Sequence, residues 1–434
     1  MLKSPATPFR RRRVARAALV AFALVAALAQ LPGWAATGAR AQEIFQRPRR
    51  VAAPPAEPAP PKTPAGAQTS APSDASGPRA EAPPRGLPVE VDEDDVVRVE
   101  TQLVTVPAVV TDKAGRPLVG LKADNFIVFE DGRPQKLASF ATTEAPFEVA
   151  LLLDTSGSTR AEVGLIRRAA HAFVEALRPG DRVALLAFNT RKEGDTRLAE
   201  VEVKTQLTDD REELRLAVES IGASNGTPFY DGLERAASEV FRDPPRDEMR
   251  GRRALVALTD GVDSTSESSF EEARRQLKRA GLVAYFVQVN TEDFVEERLM
   301  QDCEDDGALR LSRAQLQRYR QVAAPRAEAA DFANFCRMGQ FERMHISRTL
   351  YRLARDEMNR LARESGGKTF PVSDLRDARR AFQQVAEEIG TQYSLGYYST
   401  NKARDGAYRA IRVQVRGVRD AEVRAREGYQ APNS

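Results

Sequence analysis

The chain has 434 residues, 42% of them hydrophobic, which is enough to build more than one folded domain around a real core. Its 65 Lys and Arg nearly cancel 62 Asp and Glu, and the net charge of +3 gives no electrostatic reason to expect nucleic acid as a partner. Arginine is spread along helix-like stretches between glutamates, the pattern of a solvated face rather than of a basic patch.

The chain opens with the basic cluster "FRRRRVAR", an apolar run from Ala17 to Leu31, a Pro-Gly pair and then Ala39-Arg40-Ala41. A charged start, a hydrophobic stretch and a small-residue site describe a secretory signal peptide over residues 1–41, cleaved near Ala41. An uncleaved anchor is the alternative, although the run is shorter than the roughly twenty residues of a full membrane span. A twin-arginine signal fits less well, because no clean motif follows the arginines. The expectation is an exported protein, periplasmic, cell-surface or secreted, with the membrane involved only through this segment if it is retained.

Residues 42–95 are rich in Pro, Ala, Glu, Ser and Gly, and twelve of the chain's 26 prolines fall between Pro48 and Pro88. Such composition buries too little apolar surface to offset its ordering entropy, so it reads as an extended tether. From 96 to 145 the alternation in "VRVETQLVTVPAVVTDKAGRPLVG" and "DNFIVFEDGRPQKLASF", with turns at "DKAG" and Asp131-Gly132, predicts four short antiparallel strands. They are too few to stand alone as a fold.

From 146 to 391 the rhythm changes to strands alternating with helices. Strands are expected at "FEVALLLD", Arg182–Asn189, "AEVEVKTQLT", "RRALVALTD", "LVAYFVQVN" and "GGKTFPV". Helices are expected over Ala161–Leu177, Asp209–Ile221, Pro228–Phe241, Phe270–Ala280, a long stretch ending at Arg363, and Asp377–Gly390. Continuous apolar strands between amphipathic helices predict an α/β fold, a doubly wound and mostly parallel sheet covered on both faces. Residues 291–340 break this rhythm as a polar insertion that leaves the carboxyl edge of the sheet and so stands where it can shape or cover a site there; a solvated excursion that makes no contact with the site is the alternative. Cys303 and Cys336 both lie in it. In an oxidising compartment they form a candidate disulfide; two unrelated thiols are the alternative, and a thiolate metal site would need more ligands than this neighbourhood offers. From 392 to 430 antiparallel alternation returns in "QYSLGYYST", "GAYRAIRVQVRG" and "AEVRAREGY". The two β segments are expected to pair into one antiparallel β-sandwich with the α/β domain inserted between its halves; two separate β appendages are the competing picture.

In an open α/β sheet, ligands sit at the carboxyl ends of the strands. Three oxygen-bearing groups fall there: Asp154, Ser156 and Ser158 in "EVALLLDTSGSTR", Thr227 in "SNGTPFYDG", and Asp260 in "LTDG". Carboxylates and hydroxyls are hard donors suited to Mg²⁺ first, with Ca²⁺ or Mn²⁺ as alternatives. In this order and setting the five residues resemble the metal-ion-dependent adhesion site of the von Willebrand factor A domain, and the resemblance covers about Phe147 to Gly390. It implies that Ser156, Ser158 and Thr227 contact the metal, that Asp154 and Asp260 act largely through water, and that an Asp or Glu of a protein partner completes the coordination. The flanking "VPAVVTDKAGRPLVGLKADNFIVFEDGRPQKLASF" and "YSLGYYS" with "VRAREGY" resemble a secreted bacterial class of von Willebrand A-related proteins frequent in acidobacteria.

Catalytic readings find less support. A phosphatase using Asp154 as nucleophile needs a second acid where Ser156 stands, and a serine hydrolase needs a general base. Only His171 and His345 are available, each within a helical stretch. No phosphate-binding Gly-Lys-Ser/Thr loop follows a strand. The expectation is a non-enzymatic, metal-dependent adhesion or scaffold module. The alternatives are a metal-assisted hydrolase and an envelope assembly factor that binds without its metal.

Overall fold

The computed structural model describes residues 103–142, 146–157, 163–245, 251–303 and 309–433. The expected signal peptide, the tether, the residues before Leu103 and Ser158 lie outside the described residues. All described residues belong to one unit, Glu90–Ser434.

Six strands form the central sheet: β5 (Glu148–Leu153), β6 (Arg182–Glu193), β7 (Thr196–Thr208), β8 (Arg253–Thr259), β9 (Val283–Val289) and β10 (Thr369–Val372). Their order is β10-β9-β8-β5-β6-β7, and every neighbouring pair is parallel except β6 with β7. The central helices are α1 (Val163–Ala176), α2 (Arg211–Glu219), α3 (Phe229–Arg235), α4 (Phe270–Ala280), α5 (Glu292–Leu299), α6 (Arg313–Ala323), α7 (Gln340–Ser365) and α8 (Ala378–Gly390).

The unbroken apolar run of β5 follows from burial on both faces. Val149, Leu151 and Leu153 enter a core shared with Ile166 and Phe173 of α1 and Phe382 and Val385 of α8. Ala150 and Leu152 point the other way, to Phe229 and Leu233 of α3, Leu277 of α4 and Met358 of α7. The strand's period of two thus feeds two cores at once, which is why it shows no polar alternation. Full burial of each Leu stabilises the fold by about 1.5–3 kcal/mol. From β5 the chain proceeds to β6 on one side and later returns to β8 on the other, so the switch point of the sheet lies between β5 and β8.

Four strands precede this sheet in sequence, β1 (Leu103–Thr111), β2 (Phe126–Glu130), β3 (Arg133–Gln135) and β4 (Leu137–Ala141); four follow it, β11 (Tyr393–Tyr398), β12 (Tyr408–Val415), β13 (Glu422–Ala425) and β14 (Gly428–Gln430). They interleave into two antiparallel sheets, β13-β1-β11-β4 and β14-β12-β2-β3. Val106 and Val110 of β1, Val128 of β2, Leu395 and Tyr397 of β11 and Ile411 of β12 share one core, so the sheets form a single sandwich and the two-appendage picture does not hold. Asp131 and Gly132 both take positive φ, 46° and 79°, in the tight turn that the Asp-Gly pair announces. Arg252 anchors the α/β domain to the sandwich: buried, it donates to the carbonyls of Pro146 (2.9 Å), Gln392 (3.0 Å) and Thr142 (3.3 Å).

One local expectation changes, and one segment gains definition. The single helix expected over Pro228–Phe241 divides into α3 and a π-turn at Ala236–Val240. The insertion is helical, carrying α5 and α6 around its own small core of Leu299, Leu316, Tyr319, Phe335, Met338 and Ile346.

Candidate metal centre at the switch point of the sheet

Asp154 is the first residue beyond β5, and its backbone N–H continues the ladder to the carbonyl of Leu258 in β8 (2.9 Å). Its carboxylate is almost wholly buried. Oδ1 accepts from the Ser156 N–H (3.0 Å), which folds the chain sharply back, and Oδ2 accepts from the Thr259 hydroxyl (2.6 Å) at the end of β8. Thr259 Oγ1 also accepts from the Gly261 N–H (2.8 Å). Gly261 has φ of +76°, the left-handed geometry that lets the chain turn directly after Asp260. The first and third groups are therefore joined through one threonine.

Thr227 is fixed from two sides. Its N–H donates to Ser264 Oγ (2.8 Å), and its carbonyl accepts from the Ser264 N–H (3.0 Å). Ser224 in the same loop donates its N–H to the Thr155 carbonyl (2.8 Å), tying the second group to the first. Pro228 offers no side-chain cap to α3. Asp263 supplies one from another part of the chain: its Oδ2 accepts from the N–H groups of Phe229 (2.9 Å) and Tyr230 (3.3 Å) and from the Ser266 hydroxyl. Burial nevertheless pushes the Asp263 carboxyl up to about 7.

Ser156, Thr227 and Asp260 line one cleft of about 150 Å³, with Asp154 buried beneath it. Burial first, and then the charge of nearby Asp260, push the Asp154 carboxyl up to about 7 against the hydrogen bonds from Ser156 and Thr259. The charge of each carboxylate thus bears on the other, and the pair favours a proton or a cation between them. Asp260 is held by the Val262 N–H on Oδ1 (3.0 Å) and by the Thr291 hydroxyl on Oδ2 (2.6 Å). Thr291 Oγ1 is also 2.7 Å from Tyr351 Oη. As a carboxylate Asp260 only accepts, so Thr291 spends its proton there and accepts from Tyr351. Burial and the Asp260 charge hold the Tyr351 phenol well above its ordinary range, which keeps it a donor.

Four of the five expected site residues are thus brought together, and Ser158 lies outside the described residues. Among the described residues there is no cluster of three or more His, Cys, Asp and Glu fit to hold a metal. The donor set here is of another kind, two carboxylates with alcohols, which suits a hard cation of the Mg²⁺ type. Thr259, Asp263, Ser264, Thr291 and Tyr351, which shape the site, escaped the sequence reading; of these only Thr259 and Asp263 stood beside a motif, in "LTDGVD". Neither histidine lines the cleft: His171 Nε2 pairs with Glu219 on α2 (2.8 Å), and His345 packs edge-on against Tyr319. The insertion does line it, through Val295, Leu299, Leu309, Arg310, Leu311 and Gln315. Cys303 and Cys336 are bonded in it, S–S 2.14 Å.

Residues 148–313 match the profile of the von Willebrand factor type A domain, and the chain contains a domain of that type. The match ends inside the insertion, whereas β10 and α8 beyond it complete the same sheet and core. No curated protein matches the chain. Among solved structures it is similar to proximal thread matrix protein 1 of the mussel byssus, at 16% identity over 60% of this chain and 50% of that one, TM-score 0.37. This chain therefore spans about half the length of that protein. It is also similar to a von Willebrand factor type A protein from Catenulispora acidiphila (11% identity, 72% of this chain and 76% of that one, TM-score 0.36). A third likeness is to the vWF domain of the type V pili tip protein Mfa5 from Porphyromonas gingivalis (18%, 28% and 40%, TM-score 0.23).

Proposed function

We propose that the von Willebrand factor A domain of this chain is an exported protein-binding module of the adhesion or scaffold kind, which captures an acidic group of a partner protein through a divalent cation. Asp154, Ser156, Ser158, Thr227 and Asp260 would hold that cation, Mg²⁺ in first place and Ca²⁺ or Mn²⁺ as alternatives. When bound, the ion supplies a strongly electrophilic position for an incoming Asp or Glu carboxylate. The observation that carries the reading is that Ser156, Thr227 and Asp260, from three separate loops, line one cleft above the buried Asp154.

The size of the cleft favours a protein partner. Its 150 Å³ is well below the roughly 300–1,000 Å³ of small-molecule sites and suits one or two side chains. The basic and apolar opening of the sequence supports export.

The test is capture of envelope proteins by the purified chain and by Asp154→Ala, each with and without chelator. A partner retained by the wild type and released by chelator or by the substitution supports the proposal. Retention indifferent to both points to an assembly factor that does not use its metal, and hydrolysis of phosphoesters or peptides that disappears in Asp260→Ala points to an enzyme.

A further inference from the structure

The cleft's lining joins two unlike sets of side chains. One set is polar and includes the oxygen donors Ser156, Thr227 and Asp260. The other is an aliphatic wall packed on a single small core: Val262 follows the Asp260 turn, Val295 lies on α5, Leu309 and Leu311 lie between Cys303 and α6, and all four are only partly buried. Behind them stand the buried Leu299 and Leu350 of the insertion's own core. Apolar side chains left partly open beside a polar site are the feature to explain, because the helices of the insertion offer them a core they do not fully enter.

The wall is held in place from several directions. Ser312 Oγ, at the start of α6, donates to the carbonyl of Ser264, the residue that fixes Thr227 (2.7 Å). Arg318 of α6 donates to Tyr230 Oη and Glu357 Oε1, and Tyr230 Oη donates to Glu357 Oε2 (2.8 Å), which clamps α6 between α3 and α7. The Cys303–Cys336 bond closes the segment that carries Leu309 and Leu311. Buried Arg343 on α7 donates to the carbonyls of Met338 and Cys336, each at 3.0 Å. A surface fixed this way is preorganised, so contact with it adds affinity without a large ordering cost.

We infer that the insertion sets the specificity of the site: the partner residue adjacent to the acid that reaches the cation is aliphatic and packs on the Val262–Val295–Leu309–Leu311 wall. The inference rests on the metal-dependent reading above and names the partner's chemistry more closely. Oxygen donors and an aliphatic surface lining the same cleft match a carboxylate beside a branched hydrocarbon on one short stretch of chain. The space of about 150 Å³ corresponds to roughly five water molecules, room for such a pair and little more. The rim also carries the exposed Arg310, whose charge favours an acidic approach.

The experiment uses the full, disulfide-bonded chain and three synthetic hexapeptides, Gly-Ser-Asp-Leu-Gly-Ser, Gly-Ser-Asp-Ser-Gly-Ser and Gly-Ser-Asn-Leu-Gly-Ser, with binding read by ligand-observed NMR in Mg²⁺ and in chelator. The wild type is expected to bind the Asp-Leu peptide about tenfold more tightly than the Asp-Ser peptide, as partial burial of one Leu side chain implies. The Asn-Leu peptide is expected not to bind. In Leu311→Ser and in Val295→Ser, both at partly exposed positions, the preference shrinks to about threefold or less while Mg²⁺-dependent binding of Asp-Ser persists. Equal, chelator-sensitive binding of the two Asp peptides by the wild type overturns this inference and leaves the metal reading standing. A preference unchanged in both variants overturns it too. Absence of any chelator-sensitive binding overturns the metal reading and the inference with it.

Discussion

The hydroxyl of Thr259 lies 2.6 Å from Asp154 Oδ2, joining two residues 105 positions apart across the switch point of the sheet. The same oxygen accepts from the Gly261 N–H, so a single side chain holds both the carboxylate under the cleft and the turn that presents Asp260. Thr259→Val keeps the shape and removes both bonds. It should cost about 1–3 kcal/mol of stability and weaken Mg²⁺ binding by about tenfold, read by urea unfolding and by titration calorimetry. Unchanged values for both would show that the bridge is incidental.

Tyr351→Phe should weaken metal binding more gently. Thr291 would lose the donor that fixes its hydroxyl, and Asp260 would be held less firmly by a group free to turn. Loss of one hydrogen bond of about 1 kcal/mol corresponds to roughly a fivefold lower affinity for Mg²⁺ or Mn²⁺, with the far-UV circular dichroism unchanged. A variant that binds as tightly as the wild type would remove Tyr351 from the account.

Asp263 predicts a pH dependence. Its carboxyl lies near 7 in the folded chain against an ordinary 3.8, so between those values the native state holds a proton that the unfolded chain has released. Stability tied to this group is therefore full below about pH 4, falls as pH rises toward 7 and is level above it, a loss on the order of 2–4 kcal/mol. Urea midpoints measured in chelator should decline more steeply from pH 5 to 7.5 for the wild type than for Asp263→Asn. Parallel profiles would place the titration elsewhere.

The disulfide closes a loop with a sequence separation of 33. Loop-closure entropy implies about 3–4 kcal/mol of stabilisation, and most of it should appear in the insertion, which has its own core. Cys303→Ser with Cys336→Ser should raise hydrogen exchange in α5 and α6 and leave β5 and β8 protected. Uniform exchange across the domain would instead make the insertion part of the main cooperative unit.

Much of this could be read before any coordinates. The run Val149–Leu153 announces a central strand because both its faces are buried, and the acid and hydroxyls that follow stand out against it. Thr227 and Asp260 were legible because each follows a recognisable strand or precedes a helix start. Thr291, Tyr351 and the capping role of Asp263 were not, because each acts on a residue brought near only by the fold. The helices of the insertion were not read from its polar composition, although Ser312 and Gln315 form a capping box that marks the start of α6. Its aliphatic residues are spaced over three segments and converge only in the small core.

Titration calorimetry of the purified chain with Mg²⁺ and Mn²⁺, for the wild type and Thr227→Ala, tests the central claim most directly. The account predicts saturable binding of one ion per chain by the wild type and at least about a tenfold weaker binding by Thr227→Ala, with no change in secondary structure. A wild type that takes up no ion at millimolar concentration, or a Thr227→Ala variant that binds as the wild type does, would contradict it.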